Sequence, residues 1–378
     1  MRIGILTGGG DVPGLNQCIK ALAVGASEHG WEVFGIRRGW AGLLNFDPDG
    51  DETENGRWVD QLQPAQTRTI DRSGGTYLHT SRLIPDRVPA PQVPHFLRAA
   101  GEPLPAQDTT DCTAHILRAI NHLGLDAIVP IGGDDTLAYA VRLHREGVNV
   151  VTIPKTMDND VHGTDYCLGF STAVGRSIDF IHALRTPAGS HERIAVVELF
   201  GRRSGETSLI ASYLADVDRA LISEVPFDVQ RLAAMLMEDR ARNPSSYAIV
   251  TVSEGARMIG RNPIDGEPHL SIGSFLDAEL RRLTGVETIN QQLAYLMRAG
   301  TPDALDRMVA VTFGRLCIGL IEQGNFGRMV ALQSGVYTTV PVELSTLGEK
   351  HVDIDELYDS DQYRPRVTHP LGKPMFLY

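Results

Sequence analysis

Four polar segments, each set against an apolar run, carry the residue types that phosphoryl chemistry needs. Residues 7–14 read Thr-Gly-Gly-Gly-Asp-Val-Pro-Gly, and a helix is expected to open at Leu15. Backbone N–H groups of such a turn and the positive end of a helix dipole meet where a phosphate can sit, and glycine permits the close approach. The spacing matches neither the dinucleotide GxGxxG pattern nor the P-loop. By itself, a glycine-rich turn after a strand is as often a tight structural turn as a ligand cradle. A second turn, Gly132-Gly133-Asp134-Asp135-Thr136, follows an apolar run and precedes another helix. Its two aspartates suit a helix N-terminus. A metal is the other reading, because Mg²⁺ takes one or two carboxylates and keeps its waters and phosphate oxygens.

The third segment, Pro154-Lys155-Thr156-Met157-Asp158-Asn159-Asp160, holds more carboxylates and hydroxyls than capping needs. An aspartate beside a substrate hydroxyl acts as a general base, typically worth about 10²- to 10⁴-fold. A lysine next to it neutralises charge on a phosphoryl group in flight; the plain alternative for Lys155 is a solvated surface charge. In the fourth, Arg193 precedes an apolar run and Phe200-Gly201-Arg202-Arg203 follows it. A guanidinium fork matches phosphate oxygens in a bidentate way. Glu224, Tyr295 and Arg298 follow further along.

Positioning these segments calls for an α/β protein, since short β-branched runs alternate with stretches of helical period. Strands are expected at residues 2–6, 32–36, 127–131, 148–153, 194–199, 248–252 and 329–332. Helices are expected at 15–29, 112–122, 172–184, 206–214, 229–238, 275–283, 288–298 and 302–322, the last capped by Thr301 with Pro302 in its first turn. In open parallel sheets ligands bind just beyond the carboxyl ends of strands, where the four segments fall. Six prolines from Pro85 to Pro105 mark a surface insertion at 84–108, and the tail after Tyr358 is read as packing along a neighbouring surface.

At 378 residues the chain exceeds one ordinary core, and its 42% apolar and 22% charged residues are those of a globular protein. A net charge of −12 with no basic run argues against a nucleic-acid partner. Four dispersed cysteines argue against a zinc cage and a disulfide framework. Without a run of about 18 apolar residues, a cytoplasmic chain with no membrane partner is expected.

The order Gly-Gly-Gly-Asp, Gly-Gly-Asp-Asp-Thr, Pro-Lys-Thr-Met-Asp-Asn-Asp, Gly163-Thr164-Asp165-Tyr166, Arg193 and Phe-Gly-Arg resembles the 6-phosphofructokinase family from Arg2 to about Val340. Gly74-Gly75-Thr76 and Tyr295-Leu296-Met297-Arg298 stand in the expected places. The resemblance implies two similar three-layer α/β domains with mainly parallel sheets facing across a cleft. Residues 1–168 with about 300–345 would bind the phosphoryl donor and Mg²⁺, and 169–299 with the tail 346–378 the sugar phosphate. By position, Asp158 is the base for the 1-hydroxyl of fructose 6-phosphate, Asp160 assists, and Asp134 holds Mg²⁺. Lys155, Thr156 and Arg202 complete the catalytic set. Gly9, Gly10, Trp40, Arg82, Gly133, Asp135, Thr136 and Lys155 would flank the donor. Thr156, Asp158, Phe200, Gly201, Arg202, Glu224, Tyr295 and Arg298 would line the sugar phosphate. Arg193 resembles a residue contributed across a subunit interface, so a homodimer or homotetramer is implied.

ATP-using members of the family carry Gly where Asp135 and Lys155 stand. A carboxylate about 4 Å from the α-phosphate of ATP costs on the order of 4 kcal/mol at an effective dielectric near 20, roughly a thousandfold in affinity. Lys155 would instead reach the shorter inorganic pyrophosphate, and Tyr139 stands where a Gly leaves room for the nucleoside. Pyrophosphate is therefore the expected donor, in a reversible, non-allosteric enzyme that serves glycolysis and gluconeogenesis. The effector pocket looks incomplete, with Lys20 and Val24 where arginines are usual. Ile289 replaces a second intersubunit arginine and Tyr295 a common histidine. Other readings are an ATP-dependent enzyme, the same chemistry on another sugar phosphate such as sedoheptulose 7-phosphate, and a non-catalytic regulatory subunit.

Overall fold

A computed structural model of the chain describes residues 1–98, 109–260 and 271–367. Residues 99–108 of the expected insertion and 368–378 of the tail lie outside the described residues. The chain forms two compact units. Unit 1 comprises 1–156, 161–169 and 300–348; unit 2 comprises 157–160, 170–299 and 349–378.

Unit 1 is built on a seven-stranded sheet in the order Val336–Pro341, Arg328–Gln333, Val151–Pro154, Ala127–Gly132, Arg2–Thr7, Glu32–Ile36, Val59–Gln61. The five inner strands are parallel and both edge strands antiparallel. Ala127–Gly132 is buried at all its positions, which its unbroken apolar sequence supports, because a parallel strand is covered on both faces. Strands that follow Arg2–Thr7 first build one side of the sheet, and those from Ala127 onward build the other. The order therefore reverses between these two neighbours, and such a reversal is where an α/β sheet opens a crevice for ligand.

Leu15–Glu28 packs against Ala304–Glu322 so closely that a Cβ on Gly314 would stand 2.8 Å from that of Ala21. The expected cap of the second helix is corrected from Thr301 to Asp303, whose side chain accepts from the Asp306 N–H at 2.8 Å. Its carboxylate is placed to reach the first-turn amides, which shifts the start to Ala304. Asp306 is fully buried and accepts from the Tyr166 hydroxyl at 2.7 Å and the Gly169 N–H at 2.8 Å.

Unit 2 holds four parallel strands in the order Thr288–Gln292, Ile194–Leu199, Ala248–Ser253, Arg219–Leu221. Here the helix expected at 288–298 is overturned. Residues Thr288–Gln292 pair with Ile194–Leu199, and Ala294–Arg298 form a 3₁₀ turn. Tertiary pairing at the open edge of Ile194–Leu199 outweighs helical period in a segment that begins with two β-branched residues. Phe170–Ser190 runs six residues beyond the expected end at 184, through Pro187.

Residues of the tail join this unit. The Tyr358 hydroxyl donates to the Ala220 carbonyl at 2.6 Å, and Arg364 shares Asp239 with Arg219 at 3.0 and 2.6 Å. All four cysteines are buried free thiols. Among the described residues no helix is long and apolar enough to cross a membrane.

Candidate active site

Three strand ends meet where the sheet of unit 1 reverses. The Gly8 N–H donates to the Ile131 carbonyl at 3.0 Å, and the Lys155 N–H to the Gly132 carbonyl at 2.9 Å. Both glycine turns and Lys155 are thus neighbours. Lys155 is 3% exposed and its Nζ donates to the Gly10 carbonyl at 2.7 Å, so it is no solvated surface charge. Gly9 has a φ of 80°, and a Cβ there would lie 3.3 Å from the ammonium. A side chain at this position would be strained and would press on Lys155. Thr136 is buried against the first turn, since a Cβ on Gly8 would clash with its hydroxyl.

Asp134 and Asp135 open the helix Asp134–Arg145, after Gly133. Asp134 and Thr156 are half-buried, whereas Asp135 and Arg82 are exposed. Asp135 accepts from Arg87 at 3.1 Å. No group of three His, Cys, Asp or Glu side chains forms a metal cage among the described residues. One half-buried carboxylate beside glycine turns still fits Mg²⁺, which takes most of its ligands from water and phosphate. The segment carrying Arg82 is tied to the first turn, because the Gly9 N–H donates to the Ser81 carbonyl at 2.9 Å and the Thr80 hydroxyl to the Gly9 carbonyl at 2.6 Å. Trp40, expected beside the donor, is 1% exposed and sits in the core. It packs edge-on against buried Tyr139 at 5.0 Å, and the Tyr139 hydroxyl donates to Thr113 at 3.2 Å.

Unit 2 holds the aspartates. Asp158 is raised to about 7, first by desolvation, then by the charges of Asp160 and Glu254, against a backbone N–H and the guanidinium of Arg202. A carboxyl poised near neutrality is what a general base requires. Asn159 is fully buried with a φ of 55°. Its amide donates to Glu206 Oε1 at 2.9 Å, while Lys350 Nζ pairs with Glu206 Oε2 at 2.7 Å. The Lys350 N–H donates to the Asp160 carbonyl at 2.9 Å, and the Thr207 hydroxyl to the Met157 carbonyl at 2.6 Å. Sequence reasoning missed Glu206, Glu254 and Lys350. Glu206 reads as an ordinary first-turn carboxylate, and no local pattern marks Lys350.

Phe200, Gly201 and Arg202 follow the carboxyl end of Ile194–Leu199. Arg202 pairs with Glu254 at 2.9 Å. The Arg298 guanidinium lies 4.4 Å from the ring centre of Tyr295 and 5.8 Å from that of Phe200, a cation held against two aromatic faces. Glu224 accepts from the Gly205 and Val352 N–H groups, each at 3.0 Å. Arg193 is not gathered with this set. It precedes the other end of the same strand, roughly 20 Å away at about 3.3 Å per residue.

The phosphofructokinase family model matches residues 2–321. The chain belongs to that family. It is 36% identical over 343 residues to an ATP-dependent 6-phosphofructokinase of Chloroflexus aurantiacus, covering 90% of each chain. It is equally 36% identical over 365 residues to a pyrophosphate--fructose 6-phosphate 1-phosphotransferase of Streptomyces coelicolor, covering 93% of this chain and 96% of the relative. The crystal structure of pyrophosphate-dependent phosphofructokinase from Nitrosospira multiformis shares the fold at a TM-score of 0.76 and 16% identity, over 97% of this chain and 89% of that one. Pichia pastoris phosphofructokinase matches at a TM-score of 0.73 and 26% identity over 91% of this chain, which spans 38% of that longer chain. Family membership and the phosphofructokinase fold are thereby established, and relatives of equal identity carry both donors in their names.

Proposed function

We propose that the chain transfers a phosphoryl group reversibly from inorganic pyrophosphate to the 1-hydroxyl of fructose 6-phosphate, with Mg²⁺, giving fructose 1,6-bisphosphate and orthophosphate. The observation that carries the donor reading is the buried Lys155 ammonium, 2.7 Å from the Gly10 carbonyl among the glycine turns. A fixed cation there opposes the charge of a pyrophosphate without needing a nucleoside. Buried Tyr139 against Trp40 supports the same reading by filling the space that the resemblance gives to a nucleoside.

Asp158 takes the proton of the 1-hydroxyl, with Asp160 assisting. The freed oxygen attacks the terminal phosphorus, the bridging P–O bond breaks, and orthophosphate leaves. Lys155 and Arg202 oppose charge on the phosphoryl oxygens; Gly9, Gly10, Arg82, Gly133, Asp135 and Thr136 hold the donor. Asp134 would hold Mg²⁺, which when bound neutralises phosphate charge. Thr156, Phe200, Gly201, Glu224, Tyr295 and Arg298 bind the sugar phosphate, and Arg193 serves the site of a second copy in a homo-oligomer.

One observation favours ATP. Asp135 has a side chain 76% exposed and paired with Arg87, so its repulsion of an α-phosphate falls towards the roughly 1 kcal/mol that Coulomb's law gives in water at about 4 Å. Donor choice then rests chiefly on Lys155 and Tyr139. An activity assay crossing pyrophosphate and ATP with fructose 6-phosphate and sedoheptulose 7-phosphate tests the proposal. Turnover with pyrophosphate and fructose 6-phosphate is expected to exceed each ATP reaction at least roughly a hundredfold in kcat/KM, about 2.7 kcal/mol. Equal or better turnover with ATP would overturn the donor reading and leave the family intact.

A further inference from the structure

Residues 349–352, where the tail begins in unit 2, hold the loop and the carboxylate that the proposed function gives to the sugar phosphate. His351 Nδ1 and the Arg203 carbonyl lie 2.9 Å apart. A carbonyl only accepts, so Nδ1 carries the proton and donates. Glu349 pairs with the guanidinium of the same Arg203. The Val352 N–H donates to Glu224 Oε1 at 3.0 Å. The Lys350 N–H between them donates to the Asp160 carbonyl at 2.9 Å.

The loop after Ile194–Leu199 is also held from within unit 2. The Gly205 N–H donates to both oxygens of Glu224, at 3.0 and 3.1 Å, and the Gly255 N–H donates to the Gly201 carbonyl at 3.0 Å. Glycine permits the approach at 205, since a Cβ there would stand 2.7 Å from Glu224 Oε2. Glu224 Oε1 thus joins loop to tail, and the Arg203 carbonyl joins them again one residue past Arg202. Beyond this point the tail is anchored. Val352, Leu357, Tyr358 and Tyr363 are buried in the apolar core of unit 2. The Tyr363 carbonyl accepts from the Ala220 N–H at 2.8 Å, and its hydroxyl from the Asp228 N–H at 2.9 Å.

We propose that residues 349–352 form a brace that positions Arg202 and Glu224 and thereby sets the affinity for the sugar phosphate without touching it. The inference rests on the proposed assignment of Arg202, Glu224 and Arg298 to that ligand. A loop already held in its binding geometry has less ordering entropy to lose when the ligand arrives. The Glu349–Arg203 side chains are 31% and 58% exposed, and so open an ion pair contributes little. His351, which grips main chain, is the principal positioning residue.

The test combines steady-state kinetics, each substrate varied in turn, with calorimetric binding of fructose 6-phosphate to the full chain. The variants are Glu349→Gln/His351→Ala, His351→Asn and Arg298→Ala. In the double variant, KM and the dissociation constant for fructose 6-phosphate should rise at least roughly fivefold, the loss of about one net hydrogen bond. Its kcat and its KM for the phosphoryl donor should stay within about twofold of wild type. His351→Asn offers an N–H near the place of Nδ1 and should keep the affinity within about twofold of wild type. A parallel rise in both KM values would mark general loosening of the fold and overturn the brace, as would His351→Asn binding no better than the double variant. Arg298→Ala distinguishes the two readings. If it weakens fructose 6-phosphate binding while the double variant binds like wild type, the brace alone fails. If Arg298→Ala leaves that binding unchanged, the assignment of the sugar-phosphate site fails and the brace falls with it.

Discussion

The Asn159 side-chain amide donates to Glu206 at 2.9 Å, with both residues buried in unit 2 and Asn159 in the left-handed region. Glu206 also holds the Lys350 ammonium, whose own N–H reaches the Asp160 carbonyl. One carboxylate therefore fixes the backbone between the two aspartates proposed to act on the sugar hydroxyl and fastens it to a distant stretch of chain. Replacing Glu206 with Ala takes one partner each from a half-buried ammonium and a buried amide, which should cost about 1–3 kcal/mol in urea unfolding. Turnover should fall at least roughly tenfold with little change in KM, because the base is misplaced while the binding residues remain. A variant with wild-type kcat would remove Glu206 from this positioning role.

Asp158→Asn should lower turnover by at least about a hundredfold while sugar-phosphate binding, measured by calorimetry, changes little. In wild type kcat/KM should climb with pH through about 7, since the base works only when deprotonated and Asp158 sits there.

The same substitution has a stability signature of opposite sense. A carboxyl raised from 3.8 to about 7 favours the folded state only while protonated. Its burial therefore costs nothing below about pH 4, and the full cost appears as pH rises past 7. Asp158 keeps some exposure, so Asp158→Asn should stabilise the protein at pH 8 by roughly 2–4 kcal/mol and by almost nothing at pH 4. Denaturant titrations at both values check the sign. A variant no more stable at pH 8 than at pH 4, each relative to wild type, would contradict the desolvation account.

Donor choice is tested by Lys155→Gly combined with Asp135→Gly. Pyrophosphate turnover should drop at least about a hundredfold, the scale of losing one charge-stabilising group. Asp135→Gly alone should change ATP use by less than about tenfold, given its exposure and its pairing with Arg87. Undiminished pyrophosphate turnover in the double variant would dismiss Lys155 from donor recognition.

Arg193 stands some 20 Å along its strand from Phe200, a separation that fits the proposal that it serves the site of a second copy. Mixing Arg193→Ala subunits with Asp158→Ala subunits should regenerate intact shared sites and restore measurable activity. Alone, Arg193→Ala should cost more than about 1.5–3 kcal/mol in transition-state binding, against less than about 1 for a surface charge. No recovery after demonstrated subunit exchange would assign Arg193 to its own protomer.

Long apolar strands were legible because burial on both faces leaves an unbroken apolar run, as in Ala127–Gly132 and Ile194–Leu199. The glycine turns were legible because their backbone geometry tolerates few other residues. Thr288–Gln292 was not, because it is a strand only by virtue of its neighbour, and five residues hold too little period to tell. The burial of Trp40 was not legible for a related reason, since its residue type suits a ligand wall as well as a core, and its packing against Tyr139 and other distant residues is not written locally. Lys350 was invisible, its meaning lying in Glu206, far away in sequence.

The sheet of unit 1 is completed late in the chain. Val151–Pro154, which carries Lys155 at its end, pairs on one side only with Arg328–Gln333. During synthesis that strand emerges some 170 residues before its partner, roughly 9–35 s at about 5–20 residues per second. Throughout that interval its open side is an unprotected β-edge of the kind that recruits foreign strands. A ribosome-bound chain halted before residue 328 should therefore be the most aggregation-prone state of this protein and a preferred client for chaperones.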